Sequence, residues 1–267
     1  MTVMFDQLCV YAKVYGERNT GTNFVAELLR RNFAVHCLQS YNRIREYIGP
    51  MAKSLPEEPA GGLRNALLDL DCRRTMYSDF GWKHGIPPRD LVASAPHAKQ
   101  TLFVCVAKHP VAWLRSLANR PYNLVDEVPK TFSRFIRQDW TPTWRDNMPG
   151  CERINVVDLW NRKNAAFRDL GSAAERCLVV AYEEILRDPG GFLSSAGSHL
   201  IARGKDYVWS IPSTKGDDMT FEQYRQKYRE LNVHGSTSAR DLEFIRDRID
   251  ESVMQAFGYL WPDPTTG

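Results

Sequence analysis

No run of about 18 apolar residues occurs in the 267-residue chain, so a membrane-spanning helix is not expected. The opening residues, MTVMFDQLCVYAKV, lack a basic segment followed by a long apolar stretch. That argues against a secretory leader and makes the cytoplasm the expected location. An excess of one charge sign is also missing, because 35 basic residues meet 32 acidic ones for a formal net charge of +3. So even a balance excludes a protein whose main task is to coat nucleic acid, while leaving room for a local anion pocket. The six cysteines, Cys9, Cys37, Cys72, Cys105, Cys151 and Cys177, have no CxxC or CxxH spacing. They are expected to be reduced, with Cys9, Cys105 and Cys177 inside apolar runs, and to form neither a metal site nor a disulfide framework. There is no internal repeat and no low-complexity block.

What is present suits one globular α/β domain spanning residues 1–267. The composition, 43% hydrophobic and 11% aromatic, supplies one substantial core. Three apolar, β-branched runs, residues 8–15, 101–107 and 177–182, lack strict alternation. They are expected to be strands buried on both faces of a central, mostly parallel sheet. Helical spacing lies between them: Phe24, Val25, Leu28 and Leu29 after the first run, Val111, Leu114 and Leu117 after the second, and Val156, Val157, Trp160 and Phe167 before the third. Residues 50–62 and 121–150 are expected to be irregular insertions around a mouth. Near the C-terminus Leu242, Ile245, Ile249, Val253 and Ala256 share a helical stripe, and Gly258 is placed to stop it.

The first run leads into Gly16-Glu17-Arg18-Asn19-Thr20-Gly21-Thr22-Asn23 and then at once into an amphipathic helix. The G-x4-G spacing equals that of a Walker A loop, whose amides and helix N-terminus cradle anionic oxygens. Thr22 and Asn23 stand where a nucleotide triphosphatase needs Lys and Ser/Thr, so the main devices of that chemistry are missing. The alternative is a tight turn in which Thr20 or Thr22 caps the helix. The second run ends in Val106-Ala107-Lys108-His109-Pro110, and Ser116 follows Lys108 by eight positions. A cation at a strand end and a hydroxyl two turns into the next helix can converge on one phosphate; a solvated lysine and a surface serine are the alternative.

Together these segments resemble the sulfotransferase superfamily, whose P-loop-like fold binds 3′-phosphoadenosine 5′-phosphosulfate. Arg18-Asn19-Thr20-Gly21-Thr22-Asn23 is similar to the family's P-K-S-G-T-T or P-R-S-G-T-T loop, which holds the 5′-phosphosulfate. Val106 to Pro110 with Ser116 resembles the V-x-R-N-P segment and its serine, which bind the 3′-phosphate. Tyr182-Glu183-Glu184-Ile185, followed by Asp188-Pro189, is similar to the Y-E-D-L segment and implies that Tyr182 lies near the adenine end. The motifs keep family order over residues 8–260. Two positions depart from the pattern. Asn19 occupies the family's catalytic Lys or Arg position, with Arg18 one step earlier, and Lys108 replaces an arginine, exchanging a planar fork for a point charge.

Between the phosphate motifs, Lys83-His84 resembles the K-T-H-x-P stretch that carries the catalytic histidine of cytosolic members, with the lysine displaced by one. Histidine suits the task because its ordinary pKa leaves a neutral imidazole free to take a hydroxyl proton. The resemblance implies in-line transfer of a sulfuryl group to an acceptor hydroxyl, with His84 or a carboxylate as the base. Arg18, Lys83 and the loop amides are expected to stabilise the leaving phosphate oxygen. No metal is expected, since a sulfuryl group carries one negative charge fewer than a phosphoryl group. Two alternatives remain at this stage: a P-loop nucleotide kinase, and a catalytically silent nucleotide-binding protein of the same fold. Trp140, Trp144, Arg134, Arg137 and Arg145 fit a lid over a glycan or lipid headgroup, or equally a packed loop. The acceptor and the oligomeric state are left open.

Overall fold

A computed structural model of the chain describes residues 8–38, 62–122, 124–211, 213–214, 218–229 and 237–261. Apart from Gly62, the expected 50–62 insertion lies outside the described residues. Four strands form a parallel sheet in the order β2-β1-β3-β6: β1 is Tyr11–Tyr15, β2 His36–Cys37, β3 Thr101–Ala107 and β6 Cys177–Ala181. Two further strands, β4 (Asp139–Trp140) and β5 (Ile154–Asn155), make a separate antiparallel pair. The helices in chain order are α1 (Thr22–Asn32), α2 (Gly62–Arg74), α3 (Met76–Asp79), α4 (Arg89–Ser94), α5 (Pro110–Asn119) and α6 (Phe132–Arg137), then α7 (Val156–Ala173), α8 (Tyr182–Arg187), α9 (Pro189–Gly197), α10 (Phe221–Arg229), α11 (Ala239–Arg248) and α12 (Glu251–Ala256).

The central strand shows why the sheet is covered on both sides. In β3 every residue is buried. Phe103, Cys105 and Ala107 pack on one face with Trp113, Trp160 and Phe167. Leu102, Val104 and Val106 pack on the other with Val25, Leu28 and Leu193. Alternate residues of a strand point to opposite faces, so a run apolar at every position needs two covering layers. Helix α7 covers the first face and α1 with α9 the second. The third run departs from expectation: β6 is half-buried along its length because it is the last strand of the sheet order, and Cys177 is accordingly half-buried rather than core. All six cysteines are free. Among the described residues no helix is long and apolar enough to cross a membrane.

Two other expectations are corrected. The C-terminal stripe is two helices, broken at Ile249-Asp250, because the Asp250 carboxylate accepts hydrogen bonds from the Ser252 and Val253 amides and starts α12 afresh. Gly258 does follow α12 in the left-handed region, at φ 74°, and the next amide, Tyr259 N, bonds back to Met254 O. The 121–150 stretch is only partly irregular, since it contains α6 and β4. Trp140 and Phe135 are buried against each other there, and Arg145 is buried on Asp69 and Asn65, so most of this segment is packed chain. Trp144 stays exposed and stacks on Arg73.

Candidate functional site

The C-terminal ends of β1 and β3 deliver two loops side by side, and the first is tightly constrained. A Cβ on Gly16 would lie 2.6 Å from the Val106 carbonyl oxygen, so this backbone touches β3 as only glycine allows. Asn19 (φ 65°) and Gly21 (φ 85°) are both left-handed. A Cβ on Gly21 would also meet the Tyr182 ring at 2.3 Å. Thr20 does not cap the helix; its hydroxyl donates to Glu17 O at 2.6 Å, and Gly21 is the N-cap, with no side-chain cap bond. The first-turn amides of α1 therefore have no side-chain cap from that residue, the arrangement that suits an anion. The preceding amides have partners inside the fold. Arg18 N donates to Glu17 Oε1 at 2.6 Å, Asn19 N to the Tyr122 hydroxyl at 3.2 Å and Thr20 N to Glu17 O at 3.2 Å.

The second loop brings Lys108 and Ser116 together. Lys108 Nζ donates to Ser116 Oγ and to Asn19 O, both at 3.1 Å, so the cation joins both loops. It lies over the rings of Tyr182 (5.2 Å) and Tyr228 (4.8 Å). Two buried indoles fix the carbonyls of the cationic residues: Trp113 Nε1 donates to Arg18 O at 2.7 Å and Trp160 Nε1 to Lys108 O at 3.0 Å. Tyr182, the first residue of α8, packs on Gly21 and edge-on to Phe24. The cavity beside it, lined by Gly21, Phe24, Ile211, Phe221 and Tyr224, holds about 20 Å³, room for about one water. A cleft of about 640 Å³ opens on the other side, past Glu183, Tyr228 and Tyr259. Its lining includes no residue of the first loop and not His84, so converging donors, rather than cavity size, locate the site. Burial pushes the Glu183 carboxyl up against the lowering effect of Tyr259 and Lys108.

His84 is held against the first loop from below. Lys13 Nζ donates to Gly81 O at 2.5 Å and the Tyr15 hydroxyl to Phe80 O, so side chains of β1 anchor this segment. Phe80 (φ 54°) and Gly81 (φ 75°) turn the chain through the left-handed region. Gly16 N then donates to Lys83 O at 3.0 Å. His84 Nδ1 lies 2.6 Å from Gly16 O. A carbonyl can only accept, so Nδ1 carries the proton and the neutral ring keeps its lone pair on Nε2. Burial first, then the neighbouring Lys83, hold this imidazole well below its ordinary 6.5, with Arg18 and Lys163 acting in the same direction. Lys83 Nζ donates to Asn23 Oδ1 at 2.5 Å, and burial with Arg30 nearby pulls it down to about 8.

Arg18 and Asn19 point apart. Asn19 is half-exposed, and its amide donates to Arg120 O at 3.1 Å. Arg18 is 2% exposed: its guanidinium donates to Glu17 Oε1 at 2.7 Å, reaches Asp146 Oδ1 at 3.4 Å and lies over Trp82. Lys163, from α7, pairs with both Glu17 and Asp146. Burial works against the Arg18 charge, and Asp146 and Glu17 more than restore it. Asp146 is likewise held far below the usual carboxylate range, the cations Lys163 and Arg18 outweighing burial. The expected reach of Arg18 toward a leaving oxygen therefore competes with a buried ion network that already occupies it. Sequence reading missed Tyr122, Tyr228, Asp146 and Lys163. Tyr228 carried the faint signal of a Tyr224/Tyr228 pair on one helix face; the others carried none.

A scan against protein-family models and a search of curated proteins returned no match.

Proposed function

We propose that the protein is a sulfotransferase of P-loop-like fold, moving a sulfuryl group from 3′-phosphoadenosine 5′-phosphosulfate to an acceptor hydroxyl. The observation that carries this reading is the meeting of Lys108 Nζ with Ser116 Oγ, which donates to Ala112 O at 2.8 Å, and with the Asn19 carbonyl, both at 3.1 Å, beside the amides of α1, which opens without a side-chain cap. A cation, a hydroxyl and amides are the donor set a bisphosphorylated nucleoside needs. Lys108 and Ser116 would hold the 3′-phosphate, and residues 20–23 with Lys83 would hold the 5′ end. The donor supplies the sulfuryl group and a stable phosphate leaving group.

In this reading His84 Nε2 takes the acceptor's proton as the acceptor oxygen bonds to sulfur. The bond from sulfur to the 5′-phosphate oxygen breaks, and its electron pair stays on that oxygen. A histidine kept neutral and tautomerically fixed by Gly16 O is ready for this step. The stabilising cation falls to Lys83 rather than Arg18, because Lys83 has a neutral partner, Asn23, at the loop mouth while Arg18 is committed beneath it. Asn19 in the family's cation position, with its main-chain N–H donating to the Tyr122 hydroxyl and its side-chain amide to Arg120 O, favours a second reading: a nucleotide-binding protein without transferase activity.

The deciding experiment measures adenosine 3′,5′-bisphosphate binding with a chelator present, then transfer of labelled sulfate from the donor to fractionated acceptors. At ligand about 100 times Kd, binding should stabilise the fold by about 2.7 kcal/mol. Binding without transfer selects the second reading. Preference for ATP with Mg²⁺ overturns both.

A further inference from the structure

Four buried charged side chains lie beneath the first loop, two acidic and two basic. Lys163 Nζ meets three acceptors: Asp146 Oδ1 at 2.5 Å, the main-chain oxygen of His84 at 2.7 Å, and Glu17. Three acceptors match the three protons of an ammonium group, which arginine's planar fork would not reproduce. Asp146 is fixed in turn by the Thr143 amide (2.8 Å) and hydroxyl (2.7 Å). The Trp82 indole lies between the two halves: the His84 ring meets it edge-on at 4.9 Å, and Arg18, Arg145 and Lys163 lie 4.8, 4.8 and 5.8 Å from it, Arg145 carrying its own counter-charge, Asp69. The same helix carries Trp160, which holds the Lys108 carbonyl, so α7 reaches both sides of the site.

We propose that Glu17, Arg18, Asp146 and Lys163 form a positioning and charge-balancing device for His84, with Lys163 as the residue that joins the ion network to the base. The proposal rests on the sulfotransferase reading for its purpose, but not for its test. The groups facing His84 are Lys83 on its own segment, Arg18 from the first loop, Lys163 from α7, Tyr122 from the chain after α5 and the Gly16 carbonyl. Of the quartet only the cations Arg18 and Lys163 face His84, with Glu17 and Asp146 behind them as their counter-charges. The four are formally neutral together, so removing one member leaves an uncompensated charge of known sign near the imidazole. A scaffold with no electrostatic role would only loosen the packing when cut, and loosening relaxes the imidazole toward its ordinary value whichever member is lost.

The test is NMR titration of the full-length protein with labelled histidine, the His84 signal being assigned by its loss in His84→Gln. Lys163→Met leaves a net negative charge and should raise the His84 midpoint by about one pH unit. Asp146→Asn leaves a net positive charge and should keep the imidazole neutral to the lowest pH at which the fold persists. Opposite responses support the proposal. An upward move in both variants, or no move with Lys163→Met, overturns it. If Lys163→Met does not fold, the neutral pair Lys163→Met with Glu17→Gln takes its place. Its His84 midpoint should lie closer to wild type than a net negative charge would put it, with a rise well under one pH unit, and a rise of a full unit or more would overturn the proposal. Failure to bind adenosine 3′,5′-bisphosphate while the midpoints move as stated would remove the sulfotransferase reading and leave this one standing.

Discussion

Two clusters of charge lie within a few residues of each other, and they are built on opposite plans. Beneath the first loop, Glu17, Arg18, Asp146 and Lys163 are almost wholly buried and each charge meets one of opposite sign. At the mouth, Lys108 is as buried as the lower cluster and near enough to the Glu183 carboxyl to feel its charge, but its direct partners are a carbonyl, a hydroxyl and two tyrosine rings, and that of Lys83 is an amide oxygen. Charges neutralised in place cannot respond to a ligand without breaking strong buried pairs. Cations on neutral acceptors can exchange those acceptors for an anion. The first plan suits a foundation and the second a binding surface, which is why we assign Arg18 to the foundation despite its place in the loop motif.

The largest effect that sharpens the comparison is at His84, the proposed base between the two clusters. His84→Ala should leave adenosine 3′,5′-bisphosphate affinity nearly unchanged and lower turnover by about 10²–10⁴-fold, the usual range for a positioned general base. Sulfate transfer near the wild-type rate at neutral pH would move the role to a carboxylate. Next comes Arg18→Ala. If the lower cluster is a foundation, this variant loses about 3–5 kcal/mol of stability, because Glu17 and Asp146 then compete for the single cation Lys163. Chemical denaturation beside Asn19→Ala, which should lose far less, separates the two. A stable Arg18→Ala enzyme with turnover reduced about 10²–10³-fold would instead put the guanidinium at the reacting oxygens.

The two clusters also differ in how much of them the sequence showed. Local patterns revealed the mouth: a glycine-bounded loop after a strand, and a lysine eight residues before a serine on the next helix. Those separations are set by one strand end and two helical turns, so they survive as spacing. The foundation left no such trace, because Asp146 and Lys163 come from a short turn and a helix more than 120 residues from Arg18. Neighbouring Glu17 was the one visible hint that Arg18 had a partner. The fold divides in the same way. Seven consecutive buried residues made β3 legible, whereas β2, two residues long, has no period to read. The break between α11 and α12 was legible in principle, since Asp followed by Glu-Ser is an N-cap signal inside an apolar stripe.

A smaller effect breaks the mouth itself. Lys108→Ala should weaken adenosine 3′,5′-bisphosphate binding about 10–100-fold, the range expected for charge-assisted bonds of about 1.5–3 kcal/mol, with turnover at saturating donor little changed. Ser116→Ala should do the same more mildly. Variants that keep donor affinity and lose only turnover would show that this pair acts on the reacting group and not on the 3′-phosphate.

The smallest expected effect concerns Lys83, and its sign follows from its titration. Desolvation, with Arg30 nearby, pulls this lysine down to about 8, so it carries its charge at neutral pH and loses it through that value. An anion at the loop favours the charged form, so binding and proton retention are linked, and affinity is highest below pH 8 and falls as pH rises above it. Above about pH 7 a phosphate ester is already mostly doubly charged, which keeps the ligand's own titration out of the window. His84 adds nothing there, since its imidazole is neutral throughout. Lys83 is half-buried and solvent screens its interaction, so the fall should be about fivefold or less. Calorimetric titration with adenosine 3′,5′-bisphosphate across that window should show this decline in wild type. Lys83→Met should show a flat profile that meets wild type at the alkaline end. A decline that persists in Lys83→Met would place the titrating group elsewhere at the mouth and leave Lys83 without its assigned role.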